Sequence, residues 1–516
     1  MSELIQLQPF DEHNAALRDN VHPLNWQNPQ STSPYQLVVI GAGTAGLVAA
    51  ASAAGLGARV ALVERELMGG DCLNVGCVPS KGMIRSAQIL ADVKASANFG
   101  VRIDGPVKFD FAAAMQRMRQ LRARFSPADS ALRFRDMGVD VYFGQARFTG
   151  PDAIDVTPDN GKTQVVPFKK AVIAAGARAA APPIAGLDQV DYLTNESVFS
   201  LTELPGRLGI IGGGPIGVEL AQAFARFGSQ VTLFEMSDHI LKREDPDAAA
   251  IIAEQLRQDG VEIVTENKNQ KLAALEDGPI RITGMGRAGD YDVTVDKLLV
   301  AVGRQPNTDG LGLQAAGVQY DRSGVLVNDR MQTSNRRVFA AGDIASHYKF
   351  THAADFMARI VVQNALFKLG PFGARRASQL LIPWATYTTP EVAHVGMYER
   401  DARETGLAID TFVQPLSEND RAVLEGSEKG FVKVHVKRGT DKIVGATIVA
   451  KNAGDLISEL TLAMQNGIGL RQMGNTIHPY PTQADAIRRL GDQYNKTRLT
   501  PFTTRVLKTL MRFNVG

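Results

Sequence analysis

Hydrophobic and polar positions follow two different periods along this chain, and the change of period divides it. Residues 1–34 are polar, dotted with proline and without a period. They read as an extension ahead of the first domain, with no role that the sequence assigns. Tyr35-Gln36-Leu37-Val38-Val39-Ile40 is then a short apolar run rich in β-branched residues, the signature of a buried parallel strand. It enters Gly41-Ala42-Gly43-Thr44-Ala45-Gly46, and an alanine-rich segment predicts a helix to about Gly55. A second strand, Arg59 to Val63, ends at Glu64. The same order returns later. Leu208–Ile211 leads into Gly212-Gly213-Gly214-Pro215-Ile216-Gly217, a helix runs from Val218 to about Phe227, and Gln230–Phe234 ends at Glu235. Ala171–Gly176 and Arg337–Asp343 each read as a strand entering a glycine turn. From about Ile382 the period becomes two, as in Gly430-Phe431-Val432-Lys433-Val434-His435-Val436, which predicts an antiparallel sheet with helices near 453–467 and 483–495.

The glycine spacings carry chemistry because strand, turn, helix, second strand and acid occur in register. Gly41 allows a tight turn, Gly43 lets backbone approach a pyrophosphate, and Gly46 lets helix and strand pack closely. The following helix start offers free N–H groups and positive dipole potential to phosphates. Glu64 stands where a carboxylate accepts hydrogen bonds from ribose hydroxyls. Gly212, Gly214, Gly217 and Glu235 repeat the arrangement. Two dinucleotide sites in one chain suggest a flavin nucleotide and a nicotinamide nucleotide exchanging hydride. Asp343, after a strand and a glycine, suits either a polyol chain or a helix N-cap.

Composition narrows the picture. A chain of 516 residues predicts about three or four domains. The formal net charge of +2 excludes a general nucleic-acid coat. Two cysteines exclude a disulfide-stapled scaffold and a four-cysteine zinc site, and no metal site is expected. The start lacks a basic, apolar leader pattern, and the longest apolar stretch, Ala45–Ala58, is too short for a bilayer, so a cytoplasmic protein is expected. After Asp492 no acidic residue remains, whereas Lys496, Arg498, Arg505, Lys508 and Arg512 are basic. On a helix, Val506, Leu507, Leu510 and Phe513 would share one side, a pattern that suits peripheral contact with an anionic inner-membrane surface or packing on a partner subunit.

The most specific stretch is Gly69-Gly70-Asp71-Cys72-Leu73-Asn74-Val75-Gly76-Cys77-Val78-Pro79-Ser80-Lys81. Four residues separate the cysteines, a spacing that one kinked helical turn can close, and such a pair can cycle between disulfide and dithiol. The alternative is two buried structural thiols. This stretch resembles the redox-active segment of the class I pyridine nucleotide–disulfide oxidoreductases, which include dihydrolipoamide dehydrogenase, glutathione reductase and mercuric reductase. The resemblance extends from about Tyr35 to Asn495 and covers both glycine patterns and the Ala-Gly-Asp segment.

The resemblance implies an α/β fold of two Rossmann-like dinucleotide-binding domains plus a C-terminal α+β dimerisation domain. The expected divisions are a 1–34 extension, FAD-binding parts at 35–180 and 301–376, an NAD(P)-binding domain at 181–300, a dimerisation domain at 377–495 and a basic amphipathic tail at 496–516. It implies FAD at Gly41, Gly43, Gly46 and Glu64, with Asp343 on the ribityl chain and Gly70, Gly176, Gly303 and Lys81 as further cofactor contacts. Cys77 matches the sulfur that faces the flavin, and Cys72 the sulfur that meets the second substrate. Lys81 and Glu219 match an ion pair beside the flavin. Glu235 favours NADH by binding both ribose hydroxyls and repelling a 2′-phosphate. Relatives that use NADPH place arginines just after this strand, where this chain has Met236, although Lys242 and Arg243 follow and leave room for NADPH.

The sequence also leaves the family pattern. Disulfide reductases of the family carry His-Pro-Thr with a Glu three residues later, and this chain reads Tyr480-Pro481-Thr482 with Asp485 in the acid position. An unperturbed tyrosine, with a pKa of about 10, shuttles protons poorly at neutrality. His478 lies two residues too early, as a displaced base or a structural residue. Mercuric reductases resemble this chain in having the tyrosine, but they carry a C-terminal cysteine pair that is absent here. Asp71 replaces the usual threonine before the first cysteine, a negative charge that either disfavours thiolate formation or attracts a cation. The expected enzyme is a homodimer, its site shared across the interface through Tyr480 and Asp485. It passes electrons from NADH through FAD and Cys72–Cys77 to a small acceptor such as a mercuric or cupric ion, a quinone or another oxidant. The alternative is a dihydrolipoamide dehydrogenase with an altered acid/base residue.

Overall fold

A computed structural model describes residues 7–30, 33–159, 161–368, 370 and 372–515. The chain divides into two compact units, interleaved in sequence. One runs to Asp238 and resumes from Gly260 to Leu380; the other takes His239–Asp259 and everything from Leu381.

In the first unit, strand Tyr35–Ile40 lies at the centre of a parallel sheet. Val60–Glu64 pairs on one side and Gln164–Ile173 on the other, with Val139–Phe143 and Val338–Ala340 extending the sheet outward. Burial is continuous along Val60–Glu64 and nearly so along Tyr35–Ile40, as expected of parallel strands covered on both faces. An antiparallel ribbon, Gln145–Phe148 with Ala153–Thr157, continues from the long strand Gln164–Ile173. The second nucleotide fold has the parallel order Val261–Val264, Gln230–Phe234, Arg207–Ile211, Lys297–Val300. A three-stranded antiparallel sheet, Lys268–Ala274, Ile280–Gly286 and Gly289–Val295, accompanies it.

In the described residues the extension packs on its own unit. Helix Glu12–Val21, capped by Asp11, buries Leu17 and Val21 against its own unit. Trp26 Nε1 then donates to Val141 O at 2.9 Å, and Asn28 exchanges two 2.8 Å bonds with the Phe143 backbone. This segment is bound to the edge of the first parallel sheet, because polar side chains in it satisfy that strand's open backbone groups.

In the second unit a five-stranded antiparallel sheet has the order Trp384–Thr386, Glu391–Gly396, Ile443–Ala450, Phe431–Lys437, Ile409–Pro415. Helices Ala453–Gln465 and Asp485–Thr497 complete its core, close to where the period-two and helical patterns predict them. Helix Pro246–Gln258 belongs to this unit, although its sequence lies inside the expected NAD(P)-binding span. Two buried polar groups explain why. Lys433 Nζ meets Asp245 Oδ2 at 2.8 Å and Asp247 Oδ2 at 2.6 Å. Glu244 accepts from Tyr398 Oη at 2.6 Å and Trp384 Nε1 at 2.8 Å. A buried charge survives only with such partners.

Candidate active site

The two glycine turns are built alike. Gly41 has φ +99°, and a Cβ there would stand 2.4 Å from Ala174 O. Gly212 has φ +112°, and its Cβ would stand 2.5 Å from Ala301 O. Side chains at Gly46 and Gly217 would strike the carbonyls of Gly41 and Gly212 at 1.8 and 1.9 Å, so the helix starts press directly on their turns. Gly43 and Gly214 precede helices Thr44–Gly55 and Pro215–Phe227 without any side-chain cap, leaving first-turn N–H groups for a ligand. Glu64 accepts from the amides of Ala42 (2.6 Å) and Glu66 (2.8 Å), while Glu235 accepts from Gly213 (2.8 Å) and Ser237 (2.7 Å). Burial raises the Glu64 pKa against these bonds. Each carboxylate oxygen keeps a lone pair for a ribose hydroxyl.

The redox segment forms two helices, Gly70–Asn74 and Cys77–Ala95, rather than one kinked turn. The break falls at Val75-Gly76, where a Cβ on Gly76 would stand 2.7 Å from Asp71 O. Both cysteines are free thiols, Cys72 half-buried and Cys77 exposed. The Cys72–Cys77 hydrogen bond pulls the Cys77 pKa down to about 6, helped by Thr351 and the Lys81 charge, and pushes that of Cys72 up together with burial. Cys77 Sγ lies 3.5 Å from Thr351 Oγ1. Lys81, one turn on, meets the buried Glu219 at 2.9 Å, bringing the expected pair together from the Cys77 helix and helix Pro215–Phe227.

The Asp71 charge is paired within the chain. Arg304 binds its carboxylate, approaches Asp343 Oδ2 at 3.2 Å, and donates to the Ala177 carbonyl at 2.5 Å. Gly303 (φ +135°) and Gly176 (φ +65°) hold the turns on either side, with nothing within 4 Å of a Cβ at either. Asp343 heads no helix, since the next one begins at Thr351; burial raises its pKa against the nearby Arg304 and Lys349 charges.

In the second unit Tyr480 donates to Asp420 Oδ2 at 2.7 Å, a bond that raises the tyrosine pKa. Asp485, the residue in the family's acid position, does not orient it. Instead Asp485 binds Arg488 and Arg489 at 2.7 Å each, and despite burial those bonds hold its pKa down. His478 bonds Glu459 Oε1 at 2.8 Å and the Thr476 carbonyl at 2.9 Å, so both ring nitrogens have structural partners.

A family model described as pyridine nucleotide-disulphide oxidoreductase matches residues 35–358, and the dimerisation domain of that family matches residues 382–490. The chain belongs to this family. A mercuric reductase of Streptomyces lividans is 36% identical over 463 residues, covering 89% of this chain and 96% of the relative. A dihydrolipoyl dehydrogenase of Thermus scotoductus is 34% identical over 471 residues, covering 90% and 98%. Among solved structures, a Cu(II) complex of the HOCl-induced flavoprotein disulfide reductase RclA from Escherichia coli aligns with a TM-score of 0.79 and 30% identity, over 90% of this chain and 100% of that one.

This member of the pyridine nucleotide-disulphide oxidoreductases is therefore an FAD-dependent enzyme using a pyridine nucleotide, and its dimerisation domain supports a homodimer. Among the described residues no helix is long and apolar enough to cross a membrane. The chain fits FAD on its own evidence. Gly43 and Gly70 face each other so closely that a Cβ on Gly70 would lie 2.6 Å from Gly43 Cα, and Gly43 leads into helix Thr44–Gly55 with no side-chain cap on its first-turn N–H groups. Sequence reasoning missed Arg304, Thr351 and Asp420. The run Gly303-Arg304 carried a signal for the first, a cation directly after a strained glycine. Nothing in the sequence linked the others to residues 274 and 60 positions away.

Proposed function

We propose that this enzyme passes electrons from NADH to a small acceptor that requires no proton from the protein, a metal ion such as mercuric or cupric fitting best. The observation that carries this reading is Tyr480, whose hydroxyl is committed to Asp420 and resists deprotonation more than a free tyrosine. His478 is bound to Glu459 and supplies no replacement base. FAD held at Gly41, Gly43, Gly46 and Glu64 would supply the hydride-accepting chemistry that links the nicotinamide nucleotide to the Cys72–Cys77 pair. This chain's residues then hold the charges. The Cys77 thiolate, paired with Cys72 and facing Lys81, keeps its negative charge at neutrality. Cys72, the protonated partner, delivers the pair onward. Closing the disulfide releases two electrons and the Cys72 proton; one mercuric ion would accept both electrons, and two cupric ions would accept one each. Arg304 neutralises Asp71 beside Cys72, so no uncompensated carboxylate opposes the negative charge of the reduced pair.

Preference for NADH rests on Glu235, held by two backbone amides in the ribose position, and on Met236, which is 79% exposed where a phosphate-binding arginine would stand. Tyr480 and Asp485 are proposed to serve the partner subunit's site. A lipoamide-linked role is the second reading, favoured by the dihydrolipoyl dehydrogenase relatives. The deciding experiment reduces the enzyme with NADH without oxygen, then reoxidises it with mercuric or cupric ion and, separately, with lipoamide. Fast metal and slow lipoamide reoxidation are expected, with both lost in Cys72→Ser. Fast lipoamide reoxidation would transfer the assignment to the second reading.

The tail supports a separate peripheral contact. Helix Pro501–Val515 buries none of its residues, and Val506, Leu507, Leu510 and Phe513 are 42–83% exposed. With basic residues on the other side, an anionic lipid surface is the proposed partner. Removing residues 497–516 should abolish sedimentation with phosphatidylserine vesicles and leave NADH oxidation intact. A truncated enzyme that is monomeric would assign the tail to the dimer instead.

A further inference from the structure

The family match begins at residue 35, yet the segment before it reaches the redox helix. Asp11 caps helix Glu12–Val21 by accepting from the Asn14 amide at 2.9 Å, and Arg119 Nε holds the same carboxylate at 2.6 Å. Asn14, fully buried, donates its own amide to Pro9 O at 2.8 Å. Its oxygen accepts from Arg122 at 2.7 Å, and the other arm of that guanidinium donates to Asn74 O at 2.7 Å. Asn74 closes the five-residue helix that carries Cys72, and its side chain ties back to Met68 O (3.1 Å) and Gly70 O (2.9 Å). Farther along, Val21 O accepts from Met68 N at 3.1 Å, and His22 contacts the Glu66 carbonyl. The extension thus holds both ends of the loop 66–74, through Val21 and His22 at its start and through Arg122 at its finish.

Such holding matters because a helix of five residues has almost no stability of its own. The Cys72 sulfur must stay in register with Cys77, whose other neighbours are Thr351, Lys81 and Glu219. Arg122 is 3% exposed, and burial together with the Arg119 charge lowers its pKa to about 10. A buried guanidinium with carbonyl and amide oxygens at both arms fixes distance as well as charge, since its fork is planar and rigid.

We propose that residues 9–22 form a brace for the redox helix, with Asn14 and Arg122 as positioning residues that keep Cys72 against Cys77. Neither touches the reacting sulfurs. Removing the acceptor at Asn14 frees one arm of Arg122, loosens Asn74 and lets the Cys72–Cys77 hydrogen bond lapse.

The test uses NADH-reduced holoenzyme and iodoacetamide, with Cys72 and Cys77 alkylation separated by peptide mass spectrometry across pH 5–9. In the intact protein the Cys77 rate should rise through pH about 6. Asn14→Leu should move that midpoint upward and slow Cys77 alkylation at pH 6 by about threefold or more, because fewer sulfurs are thiolate. Asn14→Asp, which keeps the acceptor, should restore the profile. Asn20→Ala removes a bond of the same helix to Ser126 that does not lead to the redox loop, and should leave the profile unchanged. Amide hydrogen exchange across residues 68–77 should quicken in Asn14→Leu alone. Should that variant fail to fold, Arg122→Lys, which cannot span both acceptors, gives the same reading. An unmoved midpoint in both, or an equal shift in Asn20→Ala, would overturn the brace.

Discussion

The two glycine turns share the spacing of three glycines, a positive φ at the first of them and a glutamate at the next strand end, but not their surroundings. The first is locked. Gly69 N donates to Ala42 O at 2.8 Å, Gly43 faces Gly70, and Ala45 is only 5% exposed beneath Gly342. At the second turn nothing lies within 4 Å of a Cβ on Gly214, Pro215 is exposed, and Ile216 is 37% exposed. We infer that the same backbone chemistry serves two lifetimes: a nucleotide enclosed by the redox loop would stay with the protein, and one resting on an open helix start would leave after each turnover.

That contrast breaks most sharply at the buried helix starts. Gly46→Val places a branched side chain into the Gly41 carbonyl, an overlap costing several kcal/mol, of order 3 or more, so the protein should purify without flavin colour. The same change at the other turn, Gly217→Val, should keep the visible flavin spectrum while slowing reduction by NADH roughly 100-fold in stopped flow. Loss of flavin from both variants would erase the distinction. Glu235→Ala should weaken NADH about tenfold, or ~1.4 kcal/mol, and narrow the gap to NADPH when both are titrated. Unchanged NADH affinity would remove Glu235 from the site. The smallest effect belongs to Gly214→Ala. Its added methyl meets no protein atom, so Tm should move by about 1 °C or less while nucleotide affinity falls. A large drop in Tm would mean the second turn is as enclosed as the first.

Both nucleotide folds were legible because each rests on local periods: an apolar strand, fixed glycine offsets and an acid at the next strand end. Burial of Tyr35–Ile40 and the Glu64 and Glu235 bonds occur where those periods put them. The redox pair was legible through the resemblance of the whole stretch Gly69–Lys81 to the family's redox segment rather than through any period, and the helix break at Val75-Gly76 was not legible. The sequence could not show pairings between remote segments. The cation that Asp71 attracts could not be named because Arg304 lies 233 residues away. Asp485 took the acid position by spacing alone, while the tyrosine's real partner, Asp420, comes from a separate short helix. The extension carried no period that pointed to Arg122, since its key contact is a single asparagine.

Helix Pro246–Gln258 has a consequence for how this protein is made. Its partners Lys433, Trp384 and Tyr398 are synthesised long after it. At about 5–20 residues per second, the segment waits on the order of ten seconds or more on the ribosome with its apolar side uncovered. Truncated messages ending near Leu380 would therefore leave a sticky, chaperone-dependent product, and expressing the first unit alone requires excising 239–259 and rejoining the chain.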